Sequence, residues 1–336
     1  MDDLFKIRVL TAAINAMKAP SMKIYNRIFR GREHMEPSDR LAFEVISGSE
    51  RILKNISVYA PAEVTDKTGR KVVTLTAPRL AQKRFIHAAE LNALRAYGKQ
   101  FGLEQMKTRI AREQKDAKGI MDRTLEFWAV NALKGQILDS DLETILVDYN
   151  MAASHKPALT GTGLWTNAAS DPVNRLRAFK KLIEDDSGGA ITGWVGYMGS
   201  EVMDALLAHE KVRDLLKYGK GVQVAENGKI TKLAEVELDE YNGSFLDEGG
   251  TRRRFIDEKY FMLIGLCDDL VDVPYAPIVD DDAPGGVGNI DANGSGALYF
   301  SKSWSEKDPS GRWIKGETRP LPVLQRPGAV IYAKVV

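Results

Sequence analysis

Four histidines and one cysteine are the side chains of this 336-residue sequence best suited to metal or nucleophilic chemistry. His34, His87, His155 and His209 are scattered, and none has metal-ligand spacing with another. His209-Glu210-Lys211-Val212-Arg213 opens like the helix of a zinc peptidase, but Arg213 stands where the second histidine would share the metal. Cys267 closes the apolar run FMLIGLC, has no histidine nearby in sequence, and reads as a buried, inert thiol. Asp291-Ala292-Asn293-Gly294-Ser295 begins like a calcium loop, yet Lys302 falls where the last carboxylate ligand belongs. Gly286-Val287-Gly288 lacks the third glycine and the following helix of a dinucleotide fingerprint. There is no Gly-Lys-Ser/Thr phosphate loop and no GxSxG serine. Carboxylates are plentiful, but nothing singles out a catalytic pair. These residues predict a protein that is not an enzyme and needs no cofactor or metal.

The rest of the composition bounds what such a chain does. Hydrophobic residues at 44% and charged residues at 28% describe an ordinary soluble protein, long enough for one large or two smaller domains. A net charge of +1 excludes polyanion binding through bulk charge. The charge is unevenly placed: residues 1–40 carry eight Lys/Arg against five Asp/Glu, and residues 235–282 carry four against fourteen. The acidic excess reads as a solvated face. A single cysteine excludes an intramolecular disulfide framework and fits a reducing compartment. No apolar run is long enough to span a membrane, and MDDLFKIRVL lacks the charged and apolar regions of a signal peptide.

The longest helical pattern is residues 103–135, LEQMKTRIAREQKDAKGIMDRTLEFWAVNALKG. Leu103, Met106, Ile110, Ala117, Met121, Leu125, Trp128 and Ala132 trace one face, and Gly135 sits where a C-cap glycine belongs. Such a rod is roughly 45–50 Å long. Its first half is largely charged and its second half densely apolar, with Gly119 near the change as a bend point. Residues 1–40 read as an extended or partly helical arm, and Met22, Ile24, Tyr25, Ile28 and Phe29 call for a partner surface in this subunit or another. Residues 41–46, 51–59 and 70–76 are strand-like, with a polar turn at Thr65–Arg70. This hairpin has too few apolar residues for its own core. Residues 80–101 carry a short helical pattern. A second hairpin spans 137–151. Asp171 and Pro172 start a helix that Ser187-Gly188-Gly189 ends, a strand follows at 191–198, and one helix covers 200–217, capped by Ser200. Strands at 222–238 and 254–266 flank the turn Asn242-Gly243. Residues 280–296 form an acidic, glycine-rich loop, and three strands close the chain. The five tryptophans are core or interface anchors rather than base-stacking platforms.

An arm, a hairpin without a core, a rod and a compact α/β module make the profile of an assembly protein. The arm segment SMKIYNRIFRGRE, the helix end FWAVNALKGQI and the tail SKSWSEKDPSGRWIKGETRPLPVLQRPGAVIYAKVV, in that order, resemble the major capsid protein E family of tailed phages, of the lambda type. The resemblance covers nearly the whole chain. It implies an α+β chain with the Hong Kong 97-type phage capsid fold. The N-terminal arm would be residues 1–40, the extended loop 41–86, the peripheral domain 87–187 plus 298–336 with its spine helix at 103–134, and the axial domain 188–297.

It further implies a major capsid protein that self-assembles into hexamers and pentamers, forming an icosahedral head shell around double-stranded DNA. The implied partners are other copies of the chain, a scaffolding protein acting in trans, a portal, a decoration protein of the kind lambda-type members use, and packaged DNA contacted without sequence preference. The implied location is the virion, with assembly in the host cytoplasm and no membrane. No Lys–Asn crosslink between subunits is expected. Glu63, Asp66, Lys67, Arg70 and Lys71 near the hairpin tip, and Arg112 on the long helix, are the expected inter-subunit contacts, each exposed pair contributing about 0–1 kcal/mol. Two other readings are an encapsulin-like nanocompartment shell that packages a cargo enzyme, and a soluble α/β enzyme, which would require a polar constellation the sequence does not offer.

Overall fold

A computed structural model of the chain describes residues 6–17, 22–46, 70–90, 99–217, 222–224, 228–280, 282–283 and 298–336. Among these the helices are α1 (Ile7–Ala16), α2 (Lys99–Leu133), α3 (Pro172–Ser187), α4 (Ser200–Ala208) and α5 (Glu210–Lys217). The strands are β1 (Glu33–Met35), β2 (Arg40–Ile46), β3 (Arg70–Thr76), β4 (Leu80–His87), β5 (Gln136–Leu138), β6 (Ile145–Asp148), β7 (Gly193–Met198), β8 (Val222–Val224) and β9 (Ile230–Leu233). They continue as β10 (Val236–Glu240), β11 (Ser244–Leu246), β12 (Arg252–Arg254), β13 (Tyr260–Leu266), β14 (Val271–Tyr275), β15 (Phe300–Glu306), β16 (Gly311–Thr318), β17 (Val323–Leu324) and β18 (Val330–Lys334). The chain divides into two compact units. The first comprises Met1–Ala42, Thr74–Ala129 and Val273–Val323, and the second Phe43–Val73, Val130–Asp272 and Leu324–Val336.

The second unit is built on a six-stranded sheet in the order β18-β13-β7-β10-β9-β8. β7 and β10 are parallel, and the other pairs are antiparallel. Leu176, Phe179 and Ile183 of α3 and Val202, Met203 and Leu206 of α4 bury their apolar stripes with Phe261, Leu263, Val236 and Ile331 of the sheet. Each such side chain contributes about 1.5–3 kcal/mol on burial. Asp171 caps α3 by accepting from Asn174 N–H at 3.0 Å, Pro172 takes its first position, and Gly188 ends it at φ 59°. Cys267, just past β13, is buried.

Three local readings of the sequence are corrected here. Residues 200–217 are two helices, not one. His209 is extended (φ −69°, ψ 125°), and its carbonyl accepts from Val212 and Arg213 to start α5. Ser200 is the first residue of α4; the cap position is Gly199, where an added Cβ would lie 2.4 Å from the backbone of Glu258. The strand expected at 222–238 is three strands, with β9 and β10 joined at Ala234-Glu235 by two positive φ angles of 50° and 70°. β10 pairs with β7, so Asn242-Gly243 does not join it to β13.

The first unit contains the three-stranded sheet β15-β16-β4. Here the fourth correction falls: the helical pattern at 80–101 begins as a strand. Residues Leu80–His87 pair with β16 along their whole length, and Phe85 stands opposite Trp313 with ring centroids 4.8 Å apart. The apolar spacing of Phe85, Ala88 and Ala89 is helical; the aromatic cross-strand pair and an eight-residue ladder outweigh it over 80–87, and helix begins at Ala88. In the same unit β1 runs parallel to β14 from Glu33↔Val273 to Met35↔Tyr275.

Helix α2 is described from Lys99, four residues before the expected start, and is continuous through Gly119. It ends at Leu133, with Gly135 at φ 93°. β5 and β6 form the expected second hairpin. β2 and β3 form a two-stranded sheet, while the strand expected at 51–59 and the turn at 65–70 lie outside the described residues, apart from Arg70 at the start of β3.

Candidate functional site

Within the first unit α2 carries two buried stripes. One is apolar: Ile110, Ala117, Met121, Leu125 and Trp128. The other is polar and repeats every four residues: Gln114, Lys118, Asp122 and Glu126 are only 2%, 6%, 0% and 1% exposed. Polar groups so deeply buried need partners, and most of these lie on the N-terminal arm. Gln114 Nε2 donates to the Leu10 carbonyl and to Ser301 Oγ, both at 3.0 Å. Lys118 Nζ donates to the carbonyls of Ile14 at 3.1 Å and Met17 at 2.6 Å. Those carbonyls are at the C-terminal end of α1, where intrahelical partners run out and a cation is favoured. Asp122 Oδ1 accepts from the Tyr299 hydroxyl at 2.5 Å. Glu126 accepts from Ile24 N–H at 3.0 Å and from Tyr25 N–H at 2.9 Å, one on each carboxylate oxygen. These amides lie in the first turn of the short helical segment, begun at Lys23, that ends in a π turn at Tyr25–Phe29.

The rod therefore presents a positive charge to the end of one arm helix and a negative charge to the start of the next. The apolar residues of the arm find their partner surface within the same chain: Met22, Ile24, Tyr25, Ile28 and Phe29 are all buried. Burial pulls the Lys118 ammonium below its usual range, against the opposing pull of Asp122. Burial pushes the Asp122 carboxyl up, and the Tyr299 hydroxyl and Lys118 restrain that rise. The Lys118 ammonium also lies 4.7 Å from the centroid of the Tyr299 ring.

A second charged cluster closes around the sheet of the same unit. Arg79 grips Glu317 with two bonds, Nε at 2.7 Å and an Nη at 2.9 Å. Lys315 bridges Glu317 at 2.5 Å and Asp280 at 3.2 Å, and Lys302 holds Asp280 at 2.7 Å. Burial raises both carboxyls, but these cations outweigh it and hold Glu317 and Asp280 below the usual carboxylate range. A depressed folded-state pKa means stability that is present above the unfolded value and lost as pH falls through the folded one. The subunit is expected to lose this contribution in acid, below about pH 4. Urea unfolding followed from pH 7 to pH 3 checks it: Glu317→Gln should flatten the acid limb, and an unchanged limb would contradict the assignment.

One pair looks like a nucleophile and its base. Ser170 Oγ lies 3.0 Å from His209 Nε2, with both residues buried. His209 Nδ1 has no hydrogen-bond partner among the described residues, so no acid orients the imidazole. The pair instead clamps the break between α4 and α5 to the residue preceding the cap of α3. Among the described residues no group of three or more His, Cys, Asp or Glu side chains is placed to hold a metal, and no helix is long and apolar enough to cross a membrane.

Of the contact residues read from the sequence, Glu63, Asp66 and Lys67 lie outside the described residues. Arg70 opens β3. Lys71 is exposed on β3, and Arg112 is exposed on α2. Asp148 is held below the usual carboxylate range first by the Asn150 amide, then by Gln136, with smaller pulls from Lys156 and Lys71. The polar stripe is absent from the contact residues read from the sequence; its only sequence signal is the four-residue spacing of Gln114, Lys118, Asp122 and Glu126 beside the apolar stripe.

The family model for phage major capsid protein E matches residues 6–335. The chain belongs to that family. Its fold is shared with a protein assigned as the capsid protein of a prophage of Escherichia coli CFT073, at 17% identity and a TM-score of 0.61 over 98% of this chain and 99% of that one. The mature capsid of bacteriophage PhiM1 is similar at 11% identity and a TM-score of 0.51, over 91% and 86% of the two chains. The SrpI encapsulin of Synechococcus elongatus PCC 7942 is similar at 8% identity and a TM-score of 0.50, over 94% and 88%. A search of curated protein sequences gives no match. The mixed helix-and-sheet architecture is thus the Hong Kong 97-type capsid fold. Its family makes this capsid protein a shell-forming structural component of a phage virion. Within one chain of this capsid protein the polar stripe of α2 fastens the N-terminal residues 10–25 to the helix.

Proposed function

We propose that copies of this capsid protein form hexamers and pentamers that close into an icosahedral head around double-stranded DNA, and that the chain has no catalytic role. The observation that carries this reading is the match of a major capsid family to residues 6–335. Residues 1–40 act as the arm, 41–86 as the extended loop, 87–187 with 298–336 as the peripheral domain, and 188–297 as the axial domain, divided by role in the shell. The extended loop buries its apolar face on a neighbouring copy, with Glu63, Asp66, Lys67, Arg70 and Lys71 pairing across that contact and Arg112 receiving it. Assembly takes place in the host cytoplasm with a separate scaffolding protein and a portal, and a decoration protein stabilises the finished head. Contacts to DNA are to phosphate only.

Particles purified from cells carrying the whole phage test this reading. Heads holding nuclease-resistant double-stranded DNA support it, whereas shells filled with a protein cargo and lacking a portal favour a nanocompartment. Arg112→Glu is expected to leave the unfolding free energy within about 0.5 kcal/mol of wild type, as surface changes do, and to reduce the yield of shells by microscopy. Normal shells from that variant would remove Arg112 from the contact.

A further inference from the structure

One face of the hairpin at one end of the six-stranded sheet carries two arginines, and a turn at the other end carries carboxylates. Met198, Glu240 and Phe261 lie together at one end, and Gly193 and Leu266 at the other. The six residues of β7 separate these ends by about 17–20 Å at the usual rise. The β11–β12 hairpin emerges at the first end, between β10 and β13. Its register sets Leu246 opposite Arg252 and Ser244 opposite Arg254, so these four side chains share one face. On the other face Phe245 packs on Phe255, with centroids 5.3 Å apart, and Arg253 holds Asp247 at 2.7 Å. The first face is exposed. Leu246, at 62%, is the most exposed large apolar side chain among the described residues. Among the described residues Arg252 reaches only Ser244 Oγ, at 3.4 Å, and Arg254 bonds the Asn242 carbonyl at 2.6 Å with Glu258 at 3.6 Å.

At the opposite end, α3 finishes with Glu184, Asp185 and Asp186, all exposed in its last turn. Thr192 N–H bonds the Leu266 carbonyl at 2.8 Å, which anchors the connection from this turn to that end of the sheet. Carboxylates are disfavoured at a helix C-terminus. Asp186 holds His155 at 2.9 Å, but Glu184 and Asp185 form no ion pair among the described residues.

We propose that the Leu246–Arg252–Arg254 face of one copy docks on the Glu184–Asp185 turn of the next copy. The patches lie at opposite ends of one sheet, so they cannot meet within a unit, and a contact between unlike patches is head-to-tail, the kind that closes rings. Guanidinium forks suit carboxylates, and Leu246 supplies an apolar centre that the rim charges surround. A nucleic acid fits this face less well. Leu246 offers a phosphate nothing, and residues 244–258 carry four carboxylates against three arginines. The proposal rests on the shell-forming reading.

The test uses the full chain and three variants: Arg252→Glu with Arg254→Glu, Glu184→Arg with Asp185→Arg, and all four together. Thermal melts establish that each folds, and sedimentation at graded concentrations reads assembly. Each two-site variant is expected to raise the concentration needed for ring or shell formation about tenfold or more, and the four-site variant to restore it. Leu246→Ser, which leaves every charge in place, is expected to weaken assembly in the same assay. Two-site variants that assemble like wild type, or a folded four-site variant that does not recover, overturn the proposal while leaving the shell reading intact. A wild-type chain that stays monomeric both with and without a scaffolding protein overturns both. Loss of binding to double-stranded DNA with assembly unchanged overturns it and assigns the face to nucleic acid.

Discussion

Trp128→Ala is expected to unfold the subunit. Trp128 is 3% exposed and lies in the apolar stripe of α2, one turn after Leu125, which is 1% exposed. Replacing a buried tryptophan with alanine removes its transfer free energy and leaves a cavity, together about 3–5 kcal/mol. A domain holds only about 5–15 kcal/mol in total, so most of the margin would go. Urea unfolding followed by far-ultraviolet circular dichroism reads this directly. The variant should be unfolded, or nearly so, at urea concentrations where the wild type is native. A midpoint within error of wild type would show that the end of the rod is not anchored as described.

Glu126→Ala is expected to release the arm while sparing most of the sheet packing. Its carboxylate accepts from Ile24 N–H and Tyr25 N–H, and all three residues are buried. Hydrogen bonds to a charged group contribute about 1.5–3 kcal/mol each, and the orphaned amides would also keep their desolvation cost. A loss of about 3 kcal/mol or more is the result. The place of the damage distinguishes this variant from Trp128→Ala. Limited proteolysis with mass mapping should cut near Met22–Arg30 well before the rest of the chain. Glu126→Gln keeps one acceptor but turns a donor toward a donor, so it should fall between wild type and the alanine variant. Cleavage spread evenly along the chain would mean that Glu126 supports the helix and not the arm.

Much of the fold was legible because it is written locally. The rod at 103–134, the caps at Asp171 and Gly135 and the second hairpin follow from spacing and from residues with one good conformation. What escaped depends on distant partners. β4 is a strand because β16, over 200 residues later, supplies its ladder and Trp313. The Ala234-Glu235 turn uses positive φ at residue types that rarely favour it. His209 breaks a helical pattern because Ser170 holds its ring and its carbonyl starts α5. The polar stripe escaped for a similar reason. Lys118, Asp122 and Glu126 look like a solvated face until the arm lies over them, and the arm's own apolar residues left open which subunit they covered. The resemblance of SMKIYNRIFRGRE and the C-terminal tail to a capsid family supplied what periodicity could not, and the match over residues 6–335 agrees with it.

The most direct test of the shell-forming role is assembly of the chain itself. The full-length protein, expressed with and without a scaffolding protein, is separated by sedimentation and viewed by negative-stain microscopy. Closed icosahedral particles, or rings of five and six subunits that become particles when scaffold is added, are the predicted result. Material that stays monomeric under both conditions, especially with a measurable turnover of any substrate, would contradict it.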